Sequence, residues 1–82
     1  MMLKILLPAE VMLTQEVNKI VAEAENGSFC LMPNHIDFVA TLAPGIFTYV
    51  PVSGGQELLA MDVGTLIKKG SDVLVSTRNA VR

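Results

Sequence analysis

Short apolar runs separated by turn residues dominate the chain, with no sustained helical spacing. Leu3–Leu7 is predicted as a strand that ends at Pro8, which has no N–H to give a ladder. Over Val17–Glu25 a two-residue period places Val17, Lys19, Val21 and Glu23 on one face, and Asn18, Ile20, Ala22 and Ala24 on the other. Neither face is cleanly polar. Asn26-Gly27 suits a two-residue type I′ hairpin, because both residues tolerate positive φ. Ser28–Met32 is then the return strand, apolar on both sides, and Pro33 ends it. Asn34–Ala43 reads as an irregular loop, a short strand or a helical turn. Pro44-Gly45 is a turn signal, Ile46–Val52 a strand rich in β-branched and aromatic residues, and Gly54-Gly55 the next reversal. Leu58–Val63 and Leu66–Lys68 read as strands around Gly64. After the turn Lys69-Gly70-Ser71-Asp72, Val73–Thr77 closes the set, with Val73 and Val75 opposite Leu74.

A helix over Glu10–Ala24 competes with this reading, since Val17, Ile20, Val21 and Ala24 fit a 3.6-residue repeat. The Asn-Gly signal favours the hairpin. Strand signals every 8–12 residues or so, without a convincing amphipathic helix, indicate an all-β sandwich or barrel. Internal repeats, linkers and low-complexity tracts are absent from the sequence.

Composition sharpens this picture. At 82 residues the chain makes one domain, and a chain of that size buries only about 60–65% of its unfolded surface. Yet 51% of the residues are hydrophobic, and the mean hydropathy is +0.51. Apolar residues must then lie on both faces of the sheets or be covered by another protein, which favours a component of an assembly. No stretch approaches the roughly 20 apolar residues of a membrane span. The run Met1–Leu13 is interrupted by Pro8 and Glu10 and lacks a small-residue cleavage site, so a signal peptide is not expected. The single Cys30 cannot form an internal disulfide and is expected to be a small buried apolar residue. A net charge of −2 and 5% aromatic residues argue against nucleic acid, which calls for clustered lysine and arginine or stacking platforms.

Candidate chemistry is sparse. One histidine and one cysteine cannot build a zinc site without several carboxylates, and the carboxylates are scattered. Glu23 and Glu25 have the spacing of one solvated strand face, and no calcium loop or phosphate-binding loop is present. His35 and Asp37 alone resemble an acid–base couple: on a strand they would share a face, and Asp37 could orient the imidazole. No nucleophile accompanies them, so a loop or interface histidine is the better reading and no catalytic residue is expected. A second class of function is a lipoyl or biotinyl carrier, a β-sandwich of similar size that presents a lysine at a hairpin tip. Lys69 would be that lysine, although Lys69-Gly70-Ser71-Asp72 is also ordinary turn chemistry, and Met61-Asp62 is followed by valine in place of lysine.

The segment Gly27-Ser28-Phe29-Cys30-Leu31-Met32-Pro33-Asn34-His35, taken with Leu42-Ala43-Pro44-Gly45, resembles the N-terminal domain of the epsilon subunit of F-type ATP synthases. That family has a glycine-rich turn, an apolar strand, a Pro-x-His loop and a Pro-Gly turn in this order. The resemblance extends over residues 1–82: Asp62-Val63-Gly64 corresponds to a family Ser-Gly-Gly, and Asn79-Ala80-Val81-Arg82 is similar to the end of the domain. Within the family, Ala-Glu-Asn-Gly and Pro-x-His-Ile-Asp-Phe most resemble the alternate bacterial and archaeal ATPases, some of them sodium-linked. Asn34 stands where many relatives have glycine, Ile36-Asp37 replaces the common Ala-Pro, and Asp62-Val63 replaces two small residues.

The resemblance implies a β-sandwich of about ten strands in the central stalk of a rotary ATPase, a non-catalytic subunit without a cofactor. It further implies that Pro33, Asn34, His35, Ile36 and Asp37 face the ring of membrane c subunits. Leu7 and Ala40 would fall near the gamma subunit. Such a domain clamps gamma to the ring, coupling proton or sodium translocation to ATP synthesis or hydrolysis. It would sit peripherally at the cytoplasmic face of the cell membrane, without inserting into it. Family members usually continue into a C-terminal helical hairpin, which is not expected within this chain.

Overall fold

The computed structural model describes residues 1–81. Its regular structure consists of β1 (Met2–Leu7), β2 (Glu10–Ala24), β3 (Gly27–Leu31), β4 (Phe38–Leu42), β5 (Gly45–Pro51), β6 (Glu57–Met61), β7 (Gly64–Lys69), β8 (Asp72–Thr77) and β9 (Ala80–Val81). The all-β reading holds. The helical alternative for Glu10–Ala24 does not, because that stretch is one strand of 15 residues. Its β-branched Val11, Thr14, Val17, Ile20 and Val21 suit a pleated surface, and ladders on its flanks take up its backbone groups.

β2 organises the two layers. Its first half pairs with β1 from Glu10 to Glu16, while its second half has β3 on one side and β5 on the other. Past β1 the ladder continues through β8, β7 and β4, and past β5 through β6 and β9. One layer is thus β4-β7-β8-β1 with the first half of β2, and the other is β3, the second half of β2, β5, β6 and β9. Counting the halves of β2 separately turns the nine strands into ten. A single pairing of Ala24 with Leu42 joins β4 to the end of β2.

Two extra residues bend β2. Ile5 opposes Leu13 but Leu6 opposes Val11, leaving Met12 unpaired there; Val17 opposes Pro51 but Lys19 opposes Val50, leaving Asn18. A bulged residue advances the chain without advancing the alternation of faces. Asn18 and Lys19 are therefore both exposed, and Val17, Ile20 and Ala22 are all buried. This corrects the strict two-residue reading, which set Val17 opposite Ile20.

The register builds the core. In the first layer Ala40, Leu66, Val75, Ile5 and Leu13 lie in one inward row across five neighbouring strands. From the second layer Ile20, Ala22, Leu31, Phe47, Tyr49 and Leu59 meet Leu66, Val75, Ile5 and Leu13 in a single hydrophobic cluster. Phe47 and Tyr49 tilt against each other with ring centroids 6.5 Å apart. Each large side chain so buried contributes about 1.5–3 kcal/mol relative to exposure.

Two local expectations are corrected. The β2–β3 reversal lies at Glu25-Asn26, with Ala24 opposite Gly27, and neither turn residue has positive φ. A type I′ turn needs positive φ at both, so the left-handed demand falls on Gly27 alone, at φ 126°. Cys30 is exposed, not buried. Leu31 takes the inward position of β3, and alternation turns Cys30 outward, its Sγ 4.0 Å from Met32 Sδ.

Candidate functional site

The segment between β3 and β4 forms one end of the sandwich. Pro33, Asn34, His35, Ile36 and Asp37 are all exposed, Ile36 at 79%. Pro33-Asn34 makes a tight reversal in which the His35 N–H donates to the Met32 carbonyl at 3.0 Å. Asn34 does not use the positive φ that asparagine tolerates. The His35 ring stands edge-on to Phe38 at 5.6 Å, and Phe38 stands edge-on to Phe29 at 5.1 Å. His35 Nδ1 lies 3.0 Å from the Ile36 carbonyl. A carbonyl only accepts, so Nδ1 carries the proton in this contact.

His35 and Asp37 do not form the couple that a strand would allow, because no strand runs through them. Asp37 turns away, and its Oδ1 accepts the Gly70 N–H at 2.9 Å. Gly70 and Ser71 form the reversal between β7 and β8, so Asp37 joins two loops distant in sequence.

Lys68 makes the second tie. In β7 it shares the inward face with Leu66 and is only 2% exposed. Its alkyl stem lies in the row containing Phe38, Val73, Leu3 and Gln15. Its Nζ donates to the His35 carbonyl and to the Gly70 carbonyl, both at 2.7 Å. A buried ammonium is costly without partners, and here two carbonyls receive it at the end of the core. No buried side-chain nitrogen or oxygen lacks a partner among the described residues. Sequence reasoning missed Lys68. The available signal was the pair Lys68-Lys69: whichever lysine shares the face of Leu66 must point inward.

The opposite end is also tied by side chains. Thr77 Oγ1 lies within hydrogen-bond reach of the carbonyls of Asp62, Val63 and Asn79, at 3.0–3.3 Å. Arg78 pairs with Asp62 at 3.3 Å on the surface. Leu7 is half-buried, at the Pro8 reversal between β1 and β2. Ala40 is buried, its methyl in the inward row beside Leu66; its neighbours Val39 and Thr41 supply the outer surface at that position. Glu23, read from sequence as a solvated residue, is exposed but specifically engaged: Oε2 accepts the Ile46 N–H at 3.1 Å.

The outer faces are unusually apolar for a chain of net charge −2. On the first layer Val39 opposes Ile67, which opposes the half-buried Leu74. On the second, Ile46 opposes Ala60, which opposes Val81, with Leu58 opposite Thr48 nearby. Val39, Ile67, Ile46, Leu58 and Val81 are 41–68% exposed. Among the described residues no three His, Cys, Asp or Glu side chains gather where a metal could bind. No helix among them is long and apolar enough to cross a membrane. Lys69 is exposed but is the last residue of β7; the hairpin tip is Gly70-Ser71.

Comparison with known proteins agrees with this geometry. The chain is 31% identical over 75 residues to the ATP synthase epsilon chain of Dichelobacter nodosus, covering 92% of this chain and 52% of that protein. It is also 31% identical over 80 residues to the epsilon chain of Carboxydothermus hydrogenoformans, covering 98% and 59%. The chain thus spans about half the length of the curated relatives it matches. Among solved structures, a chain of the Euglena gracilis mitochondrial ATP synthase, described as OSCP/F1/c-ring in rotational state 1, superposes with a TM-score of 0.90 at 26% identity, over 96% of this chain and 51% of that one. A chain of the Tetrahymena thermophila central stalk and c-ring shares the fold, with a TM-score of 0.80 at 13% identity over 96% of this chain and 63% of that one. The family described as "ATP synthase, Delta/Epsilon chain, beta-sandwich domain" matches residues 1–82, and the chain belongs to that family.

Proposed function

We propose that this domain is a non-catalytic rotor component that docks the gamma subunit onto the c-subunit ring of an F-type ATP synthase. The observation that carries the reading is the family match over residues 1–82, joined to a close likeness to a chain from an assembly containing a c-ring. The structure supports a division of labour. The loop end presents Pro33, Asn34, His35, Ile36 and Asp37 to the ring. The outer face of β4-β7-β8-β1, with Val39, Ile67 and Leu74, is offered to gamma, with Leu7 at its margin and Ala40 backing it from within. Permanent interfaces are more hydrophobic than ordinary surface, which gives the apolar face a purpose. Held at both places, a rigid sandwich makes gamma and ring turn together, and ion flow through the ring drives ATP synthesis or follows hydrolysis. Its place is then peripheral, on the cytoplasmic face of the cell membrane.

The two contacts separate by substitution. Ile36→Glu is expected to weaken capture of detergent-solubilised c-ring while gamma is still retained, and Ile67→Glu the reverse, each by roughly tenfold or more for a central interface residue. Both residues are exposed, so folding is spared. Retention of both partners by both variants would refute the division. The carrier alternative finds no support in the turn, whose tip is glycine and serine.

A further inference from the structure

We infer that the Pro33–Asp37 loop and the β7–β8 turn form one rigid docking surface, with Lys68 as its internal strut and Asp37 as its tie. This rests on the reading that the loop end meets the ring, and it adds Lys69, Gly70, Ser71 and Asp72 to the surface that the partner touches. The positioning residue is one that never reaches that surface.

Three hydrogen bonds define the unit. Lys68 Nζ bridges the carbonyls of His35 and Gly70 at 2.7 Å each, and Asp37 Oδ1 receives the Gly70 N–H at 2.9 Å. Gly70 is thus held through both its N–H and its carbonyl by groups that also fix the other loop. Gly70 has φ 61°, and a Cβ built there would meet nothing within 4 Å. The left-handed backbone, and not crowding, therefore asks for glycine. The lysine is 2% exposed, so water competes poorly for its ammonium, and hydrogen bonds from a charged donor are the stronger kind.

The arrangement also gives Ile36-Asp37 a physical role. A proline at position 37 would have no acceptor side chain to hold Gly70. Asp37 supplies that acceptor, and the lysine beneath secures both carbonyls. Ile36, 79% exposed, then projects from a held loop. A held loop loses less conformational entropy on docking, which is how preorganisation raises affinity.

The occupant is the c-subunit ring of the function proposed above. The two charges flanking the turn, on Lys69 and Asp72, oppose each other in the β7–β8 ladder and remain exposed. They offer one donor and one acceptor beside Ile36, suited to a partner loop that carries both polarities.

The test combines amide hydrogen exchange on the full chain with binding to purified c-ring in detergent. Three variants are compared: Asp37→Asn, which keeps an acceptor; Asp37→Ala, which removes it; and Lys68→Met, which keeps the stem and removes the ammonium. Asp37→Ala is expected to speed exchange at Gly70 and also at His35, whose N–H bonds Met32 and not Asp37. Lys68→Met is expected to do the same at both sites. Each should weaken ring binding by roughly tenfold, the order of a lost hydrogen bond to a charged group, while Asp37→Asn, which keeps the acceptor for Gly70, is expected to leave exchange at Gly70 and His35 slow. Because Asp37 is exposed, its variants fold even if Lys68→Met does not. Exchange at His35 left unchanged by Asp37→Ala would overturn the single-unit claim, whatever the ring does. Wild-type chain that fails to bind the ring, with the exchange coupling intact, would instead refute the docking reading and leave the strut standing.

Discussion

Gly64 has an ordinary backbone angle, yet a side chain there has no room. A Cβ built on it would lie 2.4 Å from the Ser76 carbonyl oxygen and 3.1 Å from Thr77 Cβ, and the first of these is backbone in the paired strand β8. Gly64→Ala is therefore expected to destabilise the fold by about 1–3 kcal/mol, the usual cost of overpacking a closed site, seen as a lower urea midpoint. An unchanged midpoint would mean that β8 can move aside freely. Gly45 plays a gentler part: a Cβ there would collide with the Glu23 carboxylate that receives the Ile46 N–H. At both positions the requirement comes from a neighbour far away in sequence. That is why the sequence marks them only as turn residues, and why it can turn Lys68 inward by alternation but cannot name the His35 carbonyl that receives it.

Among the strands, β2 is where pattern and structure diverge. The turn residues Pro8, Gly27, Pro44, Gly54-Gly55 and Gly70 lie within a few residues of an end of β1, β3, β5, β6, β7 and β8, because breakers act locally, whereas the start of β4 and the short β9 carry no such mark. Inside β2 nothing local announces a bulge, so the apolar positions fit both a helix and a mismatched strand. Once Asn18 is recognised as the extra residue, Val17, Ile20 and Ala22 fall on one face. Deleting Asn18 would keep those residues inward but straighten the strand where it passes from one layer to the other. The deletion is expected to cost much more than the roughly ±0.5 kcal/mol of a surface exchange such as Asn18→Ser. Thermal unfolding of the two variants side by side checks this; equal melting temperatures would show that the bend is dispensable. The docking loop divided in the same way. Pro33 and Pro44 bound the stretch Asn34–Ala43, which the structure divides into an exposed loop and β4, but the turn of Asp37 toward Gly70 depends on tertiary approach alone.

For the molecule as a whole, the composition left an apolar surplus that a core of this size cannot absorb, and the fold accounts for it. One hydrophobic cluster fills the space between the layers, and the remaining apolar side chains line the outer faces in register-matched rows. Such faces mark interaction surfaces when they are contiguous. On the function proposed above, the sandwich is a spacer between two partners, with an apolar face for one and a side-chain-braced loop end for the other. The most direct test of that account is site-specific photo-crosslinking in the assembled ATP synthase, with a benzophenone amino acid at Ile36 and, separately, at Ile67. The expected products are a c-subunit adduct from position 36 and a gamma adduct from position 67, identified by mass. Adducts from position 36 to gamma alone, or none to the c subunit in an intact assembly, would contradict it.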